Sequence, residues 1–319
     1  MRTILLPFIL LLVLSACNID SGTKKVGFLV TSFEVERFRK EADYFKAKMA
    51  EYGYEVILKD CDENHALQYE RAKEMLAEEI DILIVIPVNI KTAGNIVDLA
   101  VNQDVPVVAY NRMIMDADIE MLIYSDNEFI GEVMTRSVLN KMDGGNLAVL
   151  AGDRMDPNAV EQKEAMDKMI SQHKKAKNIN VVYDTYIEDW NNEIAAIEFQ
   201  QIAKVYEVNG IIAGNDAMAN AIIDIIQQRN PDYPVYVSGQ DGDQIALENI
   251  ANGFQVATVY HPYDKLAGKA AEIVRDILEN KNTEEHISGK VFNGLKEVPV
   301  ARIRSEVITR ENVESYIEE

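Results

Sequence analysis

The chain has 319 residues, a formal net charge of −21 at pH 7 and a pI near 4.6. A field this negative is repelled by a phosphate backbone, which argues against nucleic acid as a partner and leaves solubility as the simpler explanation of the charge. A composition of 48% hydrophobic and 27% charged residues is typical of a folded globular chain, and the length is sufficient for two domains of ordinary size.

The N-terminus has the features of an export signal. Arg2 is followed by an apolar run over residues 4–14, which is too short to span a bilayer as a mature helix. The run ends in Leu14-Ser15-Ala16-Cys17, which resembles the lipobox of bacterial lipoproteins; a plain signal peptide with a coincidental cysteine is the alternative. We therefore predict a lipoprotein signal over residues 1–17, lipidation of Cys17, and an exported chain anchored at the periplasmic or extracellular face of a membrane.

The sequence beyond Cys17 has no apolar stretch that approaches the roughly 20 residues a membrane span requires. Once Cys17 is assigned to lipid, Cys61 is the one cysteine left in the sequence, so no intramolecular disulfide can form. We interpret Cys61 as a small residue at a strand end.

In the first half, short apolar runs alternate with longer amphipathic ones, the pattern of βαβ units and mainly parallel sheets. Buried strands are predicted over residues 26–30, 55–58, 82–86 and 105–109. Apolar residues at helical spacing predict helices between them, over residues 34–52, 65–79 and 92–102.

The second half repeats this pattern. Strands are predicted over residues 147–150, 181–186, 210–213 and 235–238, with helices that begin near Asn158, Asn191 and Ala217. The predicted fold class is therefore α/β: two doubly wound parallel-sheet lobes, each of which binds ligands beyond the carboxyl ends of its strands.

The C-terminal part predicts how the two lobes are connected. It contains a strand over residues 255–260, a helix over 262–279 and a short strand at Val291 and Phe292. We expect the chain to cross between lobes near Asp126, His261 and Asn293, which makes a three-crossing hinge. The first lobe then comprises residues 24–126 plus 262–292, and the second comprises 127–261 plus 293–319.

Polar residues follow the predicted strands at equivalent places in the two halves. In the first half these are Glu36, Arg37, Asn89, Asn111 and Arg112; in the second they are Asp156, Asn158, Asn215, Asp216 and Asp241. Any one of them alone is an ordinary turn or cap residue, as Asn215 and Asp216 could be for the following helix. Together they supply donors and acceptors in fixed planar geometry, which suits a sugar ring, because each hydroxyl both gives and takes hydrogen bonds.

Two aromatic residues accompany these polar groups. Phe38 directly follows Arg37, and Trp190, the only tryptophan, follows Glu188-Asp189. Aromatic rings pack against the flat C–H faces of sugars, although core packing is an equally good explanation for a lone aromatic residue.

Other function classes fit the sequence poorly. The histidines are scattered, and the sequence has neither HExxH nor GxSxG, so we expect no enzyme activity, no metal and no cofactor. Asp241-Gly242-Asp243 begins like a calcium loop but lacks the downstream ligands. A sugar-sensing repressor would carry a helix-turn-helix module where this chain has an export signal.

Several motifs, taken in order, resemble the type I periplasmic sugar-binding proteins, and among them the D-xylose-binding branch of ABC transporters. In the first half they are Val35-Glu36-Arg37-Phe38, Val85-Ile86-Pro87-Val88-Asn89, Tyr110-Asn111-Arg112-Met113-Ile114, Asp116-Ala117-Asp118-Ile119 and Ser125-Asp126-Asn127-Glu128. In the second half they are Asp156-Pro157-Asn158-Ala159, Glu188-Asp189-Trp190, Gly214-Asn215-Asp216-Ala217, Ser238-Gly239-Gln240-Asp241 and Thr258-Val259-Tyr260. The resemblance runs from about Lys24 to about Gly268.

The resemblance implies a periplasmic-binding-protein type I fold and a set of ligand contacts. Phe38 and Trp190 would sandwich a pyranose ring, and the residues that would bond its hydroxyls are Glu36, Arg37, Arg112, Asn158, Asn215 and Asp241. The chain departs from the D-xylose binders at Phe38, Asn111 and His261, where they have tryptophan, aspartate and lysine. Asn111 matters most, because an amide donates as well as accepts, so another pentose or hexose stays open.

The resemblance also implies the partners. We expect a monomeric chain that captures a monosaccharide, most simply D-xylose, and presents it to an ABC permease. The alternative is a sensor subunit that reports the sugar to a membrane histidine kinase. Both partners would contact the outer surfaces of the lobes, so the sequence does not distinguish them.

Overall fold

The computed structural model describes residues 22–317. The predicted export signal and the predicted lipidation site Cys17 lie outside this part of the chain. Within the described residues, no helix combines the length and the apolar character needed to cross a membrane.

Strands and helices alternate along most of the described chain. The strands are β1 (Lys25–Val30), β2 (Glu55–Asp60), β3 (Ile82–Val85), β4 (Val107–Tyr110), β5 (Met121–Ser125), β6 (Gly145–Ala151), β7 (Ile179–Tyr186), β8 (Val208–Ala213), β9 (Tyr236–Asp241), β10 (Ala257–Tyr260), β11 (Gly289–Phe292), β12 (Glu297–Ile303) and β13 (Glu306–Thr309). The helices are α1 (Glu36–Glu51), α2 (His65–Ala77), α3 (Gly94–Val101), α4 (Asn127–Lys141), α5 (Pro157–His173), α6 (Asn192–Ile202), α7 (Asp216–Arg229), α8 (Gln244–Asn252), α9 (Tyr263–Leu278) and α10 (Glu314–Ile317).

These strands form two sheets in the described part of the chain, one for each lobe. The first has the order β11-β12-β5-β4-β3-β1-β2, and the second has the order β13-β10-β9-β8-β6-β7. Only the β11–β12 and β10–β13 pairs are antiparallel. The predicted fold class, two α/β lobes with mainly parallel sheets, is confirmed.

Each sheet is covered by helices on both faces, which is why its strands read as continuous apolar runs. In β3, Ile82 and Ile84 pack on the side of α1 and α9, whereas Leu83 and Val85 pack on the side of α2 and α3. This alternation follows from the two-residue period of a strand. Cys61 is fully buried in the second of these clusters and directly follows β2, as predicted.

The chain crosses between the sheets at three places within residues 22–317. The first crossing is at Asp126, between β5 and α4, and the second is at His261 and Pro262, between β10 and α9. The third lies between Ile303 and Glu306, because β12 pairs in parallel with β5 of the first sheet. The predicted crossing near Asn293 is therefore wrong, and residues 293–303 belong to the first lobe and not to the second.

Candidate functional site

A cavity of about 430 Å³ lies between the lobes, at the carboxyl ends of their strands. The structure brings all ten residues that the sequence predicted for the site to the wall of this one cavity. They are Glu36, Arg37, Phe38, Asn111, Arg112, Asn158, Trp190, Asn215, Asp241 and His261. Their convergence from separate strand ends of both lobes follows from the switch-point geometry of doubly wound sheets.

Arg37 forms an ion pair with Glu41, a buried carboxylate that the sequence did not predict for the site. Its Nε donates to Oε1 of Glu41, one helical turn further along α1, at 2.8 Å, and Glu41 is completely buried. Its Nη2 also lies 3.5 Å from Oδ1 of Asn111. Burial lowers the pKa of Arg37, but attraction to Glu41 more than offsets this, so the pKa is raised and the guanidinium stays charged. The signal for Glu41 was the i, i+4 spacing from Arg37 on one helix face.

The two aromatic residues occupy different settings. Phe38 lies in the first turn of α1, is 7% exposed and belongs to the core of the first lobe as well as to the cavity wall. Trp190 closes a short 3₁₀ turn in which Asp189 and Trp190 have φ angles of 54° and 53°. The backbone N–H of Asp189 donates to Oδ2 of Asp153 at 2.6 Å, which fixes this left-handed turn.

The indole of Trp190 lies against Gly152, which has no side chain to obstruct it. A Cβ at Gly152 would be 2.3 Å from Cη2 of the ring, closer than any real contact. Glycine is therefore required at this position for the ring to lie where it does.

Contacts across the cleft join the two lobes. Nδ2 of Asn158, in the second lobe, donates to the backbone oxygen of Asn111, in the first, at 3.0 Å. Nε of Arg112 lies 3.6 Å from Oδ2 of Asp156 and has no hydrogen-bond partner among the described residues. Arg112 therefore faces Asp156 across the cleft and also lines the cavity.

Asn215 both caps a helix and lines the cavity. Its side chain accepts from the backbone N–H of Met218 at 2.9 Å, the capping role that the sequence left open. The neighbouring Asp216 is fully buried and accepts from the backbone N–H groups of Gly242 and Asp243, at 2.9 and 3.1 Å. Asp216 therefore holds the loop that directly follows Asp241.

Asp241 ends β9 and is a cavity carboxylate with a raised pKa. Its side chain is 36% exposed, but that surface faces the enclosed cleft. Burial raises the pKa of Asp241 to about 6, Arg37 acts in the opposite direction, and Asp243 adds a smaller increase. Asp241 is thus ionised at neutral pH and able to accept from hydroxyl donors.

His261 lines the cavity, but its ring is engaged with the hinge. Nδ1 lies 3.1 Å from Oγ of Ser125 and 3.0 Å from Oγ of Ser305, and Nε2 lies 3.7 Å from Oδ1 of Asp241. Burial and the charge of Arg37 lower the pKa of His261 well below its ordinary value, so the imidazole is neutral.

Glu36 lies at the rim of the cavity. Its side chain is 78% exposed and its Oε1 pairs with Nζ of Lys40 at 2.8 Å. The hydrogen bond and the charge of Lys40 lower the pKa of Glu36. A surface ion pair of this kind contributes little to stability.

The sequence analysis also missed a network of amides in the cavity wall. The side chains of Gln162 and Gln240 bond each other in both directions, at 3.1 and 2.9 Å. Gln162 also donates to Oδ1 of Asn127 at 3.2 Å, and Nδ2 of Asn127 donates to Oδ1 of Asn158 at 2.9 Å. Gln162 lies one helical turn after Asn158 on α5, and that spacing was the available signal.

Comparisons with known proteins agree with this architecture. A family model described as periplasmic binding protein domain matches residues 26–282. The D-xylose-binding periplasmic proteins of Haemophilus influenzae and Escherichia coli K12 are each 29% identical over 318 residues, which is 99% of this chain and 95% and 96% of those proteins.

A solved carbohydrate transporter solute-binding protein from Chloroflexus aurantiacus, in complex with D-glucose, has a TM-score of 0.81. It is 21% identical, and the match covers 92% of this chain and 95% of that one, so this likeness concerns the fold alone. Because the family match extends through both lobes and the cavity between them, the chain belongs to the periplasmic binding protein domain family.

Proposed function

We propose that this chain is an exported solute-binding protein that captures a monosaccharide, D-xylose first among the candidates, in the cavity between its lobes. The observation that carries this proposal is the composition of the cavity wall. Two guanidinium groups, five carboxylates and several amides from both lobes surround about 430 Å³ together with Phe38 and Trp190. Ligand pockets of this kind typically hold about 300–1,000 Å³.

The chemistry of the wall suits a neutral polyol. Arg37 and Arg112 can only donate, Asp241 at neutral pH can only accept, and Asn158 and Asn215 can do both. Hydrogen bonds that involve a charged group are worth roughly 1.5–3 kcal/mol each, so a few of them fix the orientation of a ring with several hydroxyls.

The choice of D-xylose is supported by the names of the two proteins that match over nearly the full length. Solved proteins of the same fold carry β-D-glucose, D-glucose or myo-inositol, so the fold itself does not select one sugar. The resemblance to the D-xylose binders implies a carboxylate at the position of Asn111, so Asn111 is the residue on which we expect selectivity to depend.

The proposed mechanism is closure on the ligand. The sugar docks on one lobe while the cleft is open, and rotation about the three crossings brings the other lobe into contact with it. The ligand stabilises the closed form only by its higher affinity for that form. Closure changes the relative placement of the outer faces, which an ABC permease would recognise.

A thermal-shift screen of pentoses and hexoses tests the proposal. A ligand at one hundred times its Kd stabilises the native state by about 2.7 kcal/mol, so D-xylose should raise the Tm clearly. Trp190→Ala should abolish the shift while it leaves the fold intact, whereas Phe254→Ala, which removes an exposed ring outside the cavity, should keep the shift. A larger shift with another sugar would replace D-xylose, and no shift with any sugar would refute sugar binding.

A further inference from the structure

The three segments that connect the lobes meet at one buried imidazole. His261 belongs to the second crossing, Ser125 immediately precedes the first, and Ser305 lies within the third. Nδ1 of His261 is 3.1 Å from Oγ of Ser125 and 3.0 Å from Oγ of Ser305. The three residues are 5%, 6% and 6% exposed. The crossings therefore form one packed unit.

The opposite side of the ring faces the cavity. Nε2 of His261 lies 3.7 Å from Oδ1 of Asp241, which is just beyond hydrogen-bond distance. A neutral ring with its proton on Nε2 directs that N–H toward the carboxylate and leaves Nδ1 as an acceptor within reach of both serine hydroxyls. The same ring thus touches the hinge on one side and a ligand-facing carboxylate on the other.

We propose that His261 is the pin of the hinge, a positioning residue that holds the three crossings together through Ser125 and Ser305 and aligns Asp241 with the ligand. The alignment of Asp241 rests on the proposed function, whereas the pin itself belongs to the chain without any ligand. A hinge absorbs the rotation of closure at a few loop residues, and here one side chain contacts all three of these segments.

Ser305→Ala is the sharpest test of the pin. Ser305 is not among the residues that line the cavity, so this variant removes one hinge bond and leaves the ligand contacts in place. His261→Ala removes both hydroxyl contacts, and His261→Gln retains a donor and an acceptor on an amide. Ser171→Ala and His65→Gln, both at exposed positions, are the matched controls.

The measurement is the distance between the lobes without sugar, by double electron–electron resonance. Spin labels at Lys46→Cys on α1 and Gln228→Cys on α7 report it, in a chain with Cys17→Ser. The native Cys61 does not interfere, because it is buried and burial raises the pKa of its thiol to about 12.

We expect the distance distribution to broaden about twofold in Ser305→Ala and more in His261→Ala, with His261→Gln close to the parent chain. If Ser305→Ala and His261→Ala both keep the parent distribution, or if His261→Gln is as broad as His261→Ala, the pin is wrong.

A second measurement, with D-xylose present, tests the hinge contacts separately from the proposed function. D-xylose should dissociate about fivefold faster from Ser305→Ala than from the parent chain, which is the change expected for the loss of one hydrogen bond. Broadened distributions in a chain that does not bind D-xylose would retain the pin and refute the proposed ligand. Unchanged dissociation beside a broadened distribution would overturn the link to Asp241.

Discussion

Glu41 is a buried residue that pairs with Arg37, which we propose to contact the ligand. Glu41→Gln keeps the shape of the side chain but removes the charge that pairs with Arg37. Since breaking a buried ion pair leaves the partner uncompensated, we expect D-xylose binding to weaken by about tenfold or more and the Tm to fall. Calorimetry and thermal unfolding measure the two effects.

The matched control lies on the same helix. Glu51 pairs with Lys48 at 2.7 Å but is 63% exposed, so Glu51→Gln should change neither quantity measurably. Equal effects of the two variants would contradict the positioning role of Glu41.

Gly152 is the second residue whose role is indirect. Gly152→Ala would place a methyl group 2.3 Å from the ring of Trp190, so the ring must move. We expect the affinity for D-xylose to fall at least tenfold because stacking is lost, with the Tm of the unliganded chain little changed. Since Trp190 is the only tryptophan, a shift in intrinsic fluorescence should accompany the loss; unaltered fluorescence would refute the contact.

The pKa of Asp241 predicts a pH dependence of binding. With a pKa of about 6, the carboxylate is ionised at pH 7.5 and mostly protonated at pH 5. If the ligand requires the ionised form, its affinity should fall about tenfold between these pH values. Arg37, Asp243 and His261 face the same carboxylate, so Asp241→Asn is the control: it should bind weakly and lose this dependence.

The ionisation of Asp241 affects stability in the opposite direction from ligand binding. Because the pKa of Asp241 in the folded chain is raised above its ordinary value of 3.8, the folded state binds the proton more tightly than the unfolded state does. This group therefore lowers the free energy of unfolding as the pH rises from about 4 to about 6. Thermal unfolding of the parent chain and of Asp241→Asn over this range measures the contribution.

At the level of elements, the sequence predicted most strands and helices but missed β5, β12, β13, α4 and α8, among others. β1 and α1 were predicted to within a few residues, because buried parallel strands read as apolar runs and α1 is amphipathic. β12 was missed because it contains Pro299, which usually argues against a strand. Pro299 is tolerated here since pairing with β5 begins only at Val300.

The candidate site divides in the same way. Residues directly after strands, such as Arg112 and Asp241, could be predicted because strand order places them at one edge. Gln162 and Glu41 lie on helices. Helical spacing alone does not predict which polar residue of a helix is buried and which is exposed. The hinge contacts of His261 join segments far apart in sequence, so only the tertiary structure reveals them.

The packing of α4 on α5 gives a prediction at this scale. A Cβ at Gly131 would lie 2.2 Å from the backbone oxygen of Gln162, so Gly131→Ala must separate the helices. Overpacking costs about 1–3 kcal/mol, which exceeds the gain of up to about 1 kcal/mol in helix propensity. The Tm should fall, whereas Gly268→Ala, where a Cβ would meet Tyr44 at 3.5 Å, should leave it unchanged or higher.

At the level of the whole molecule, the predicted lipid anchor fixes where the chain would act. If Cys17 is acylated, the mature chain should fractionate with membranes and carry a lipid-modified N-terminal cysteine in mass spectrometry. Cys17→Ser should release it into the soluble fraction with its D-xylose affinity unchanged, since the cavity is formed by residues 31–261. A soluble parent chain with an unmodified N-terminus would refute the anchor.

The interleaved course of the chain has a consequence for synthesis. β12 lies between β5 and the edge strand β11 in the first sheet, and β13 is an edge strand of the second, so neither sheet is complete until residues 297–309 have been synthesised. A nascent chain that lacks these residues has neither β12 nor β13, so each sheet is still missing a strand. We propose that this protein is exported, and late completion of both sheets favours passage of the chain through a translocation channel before it folds.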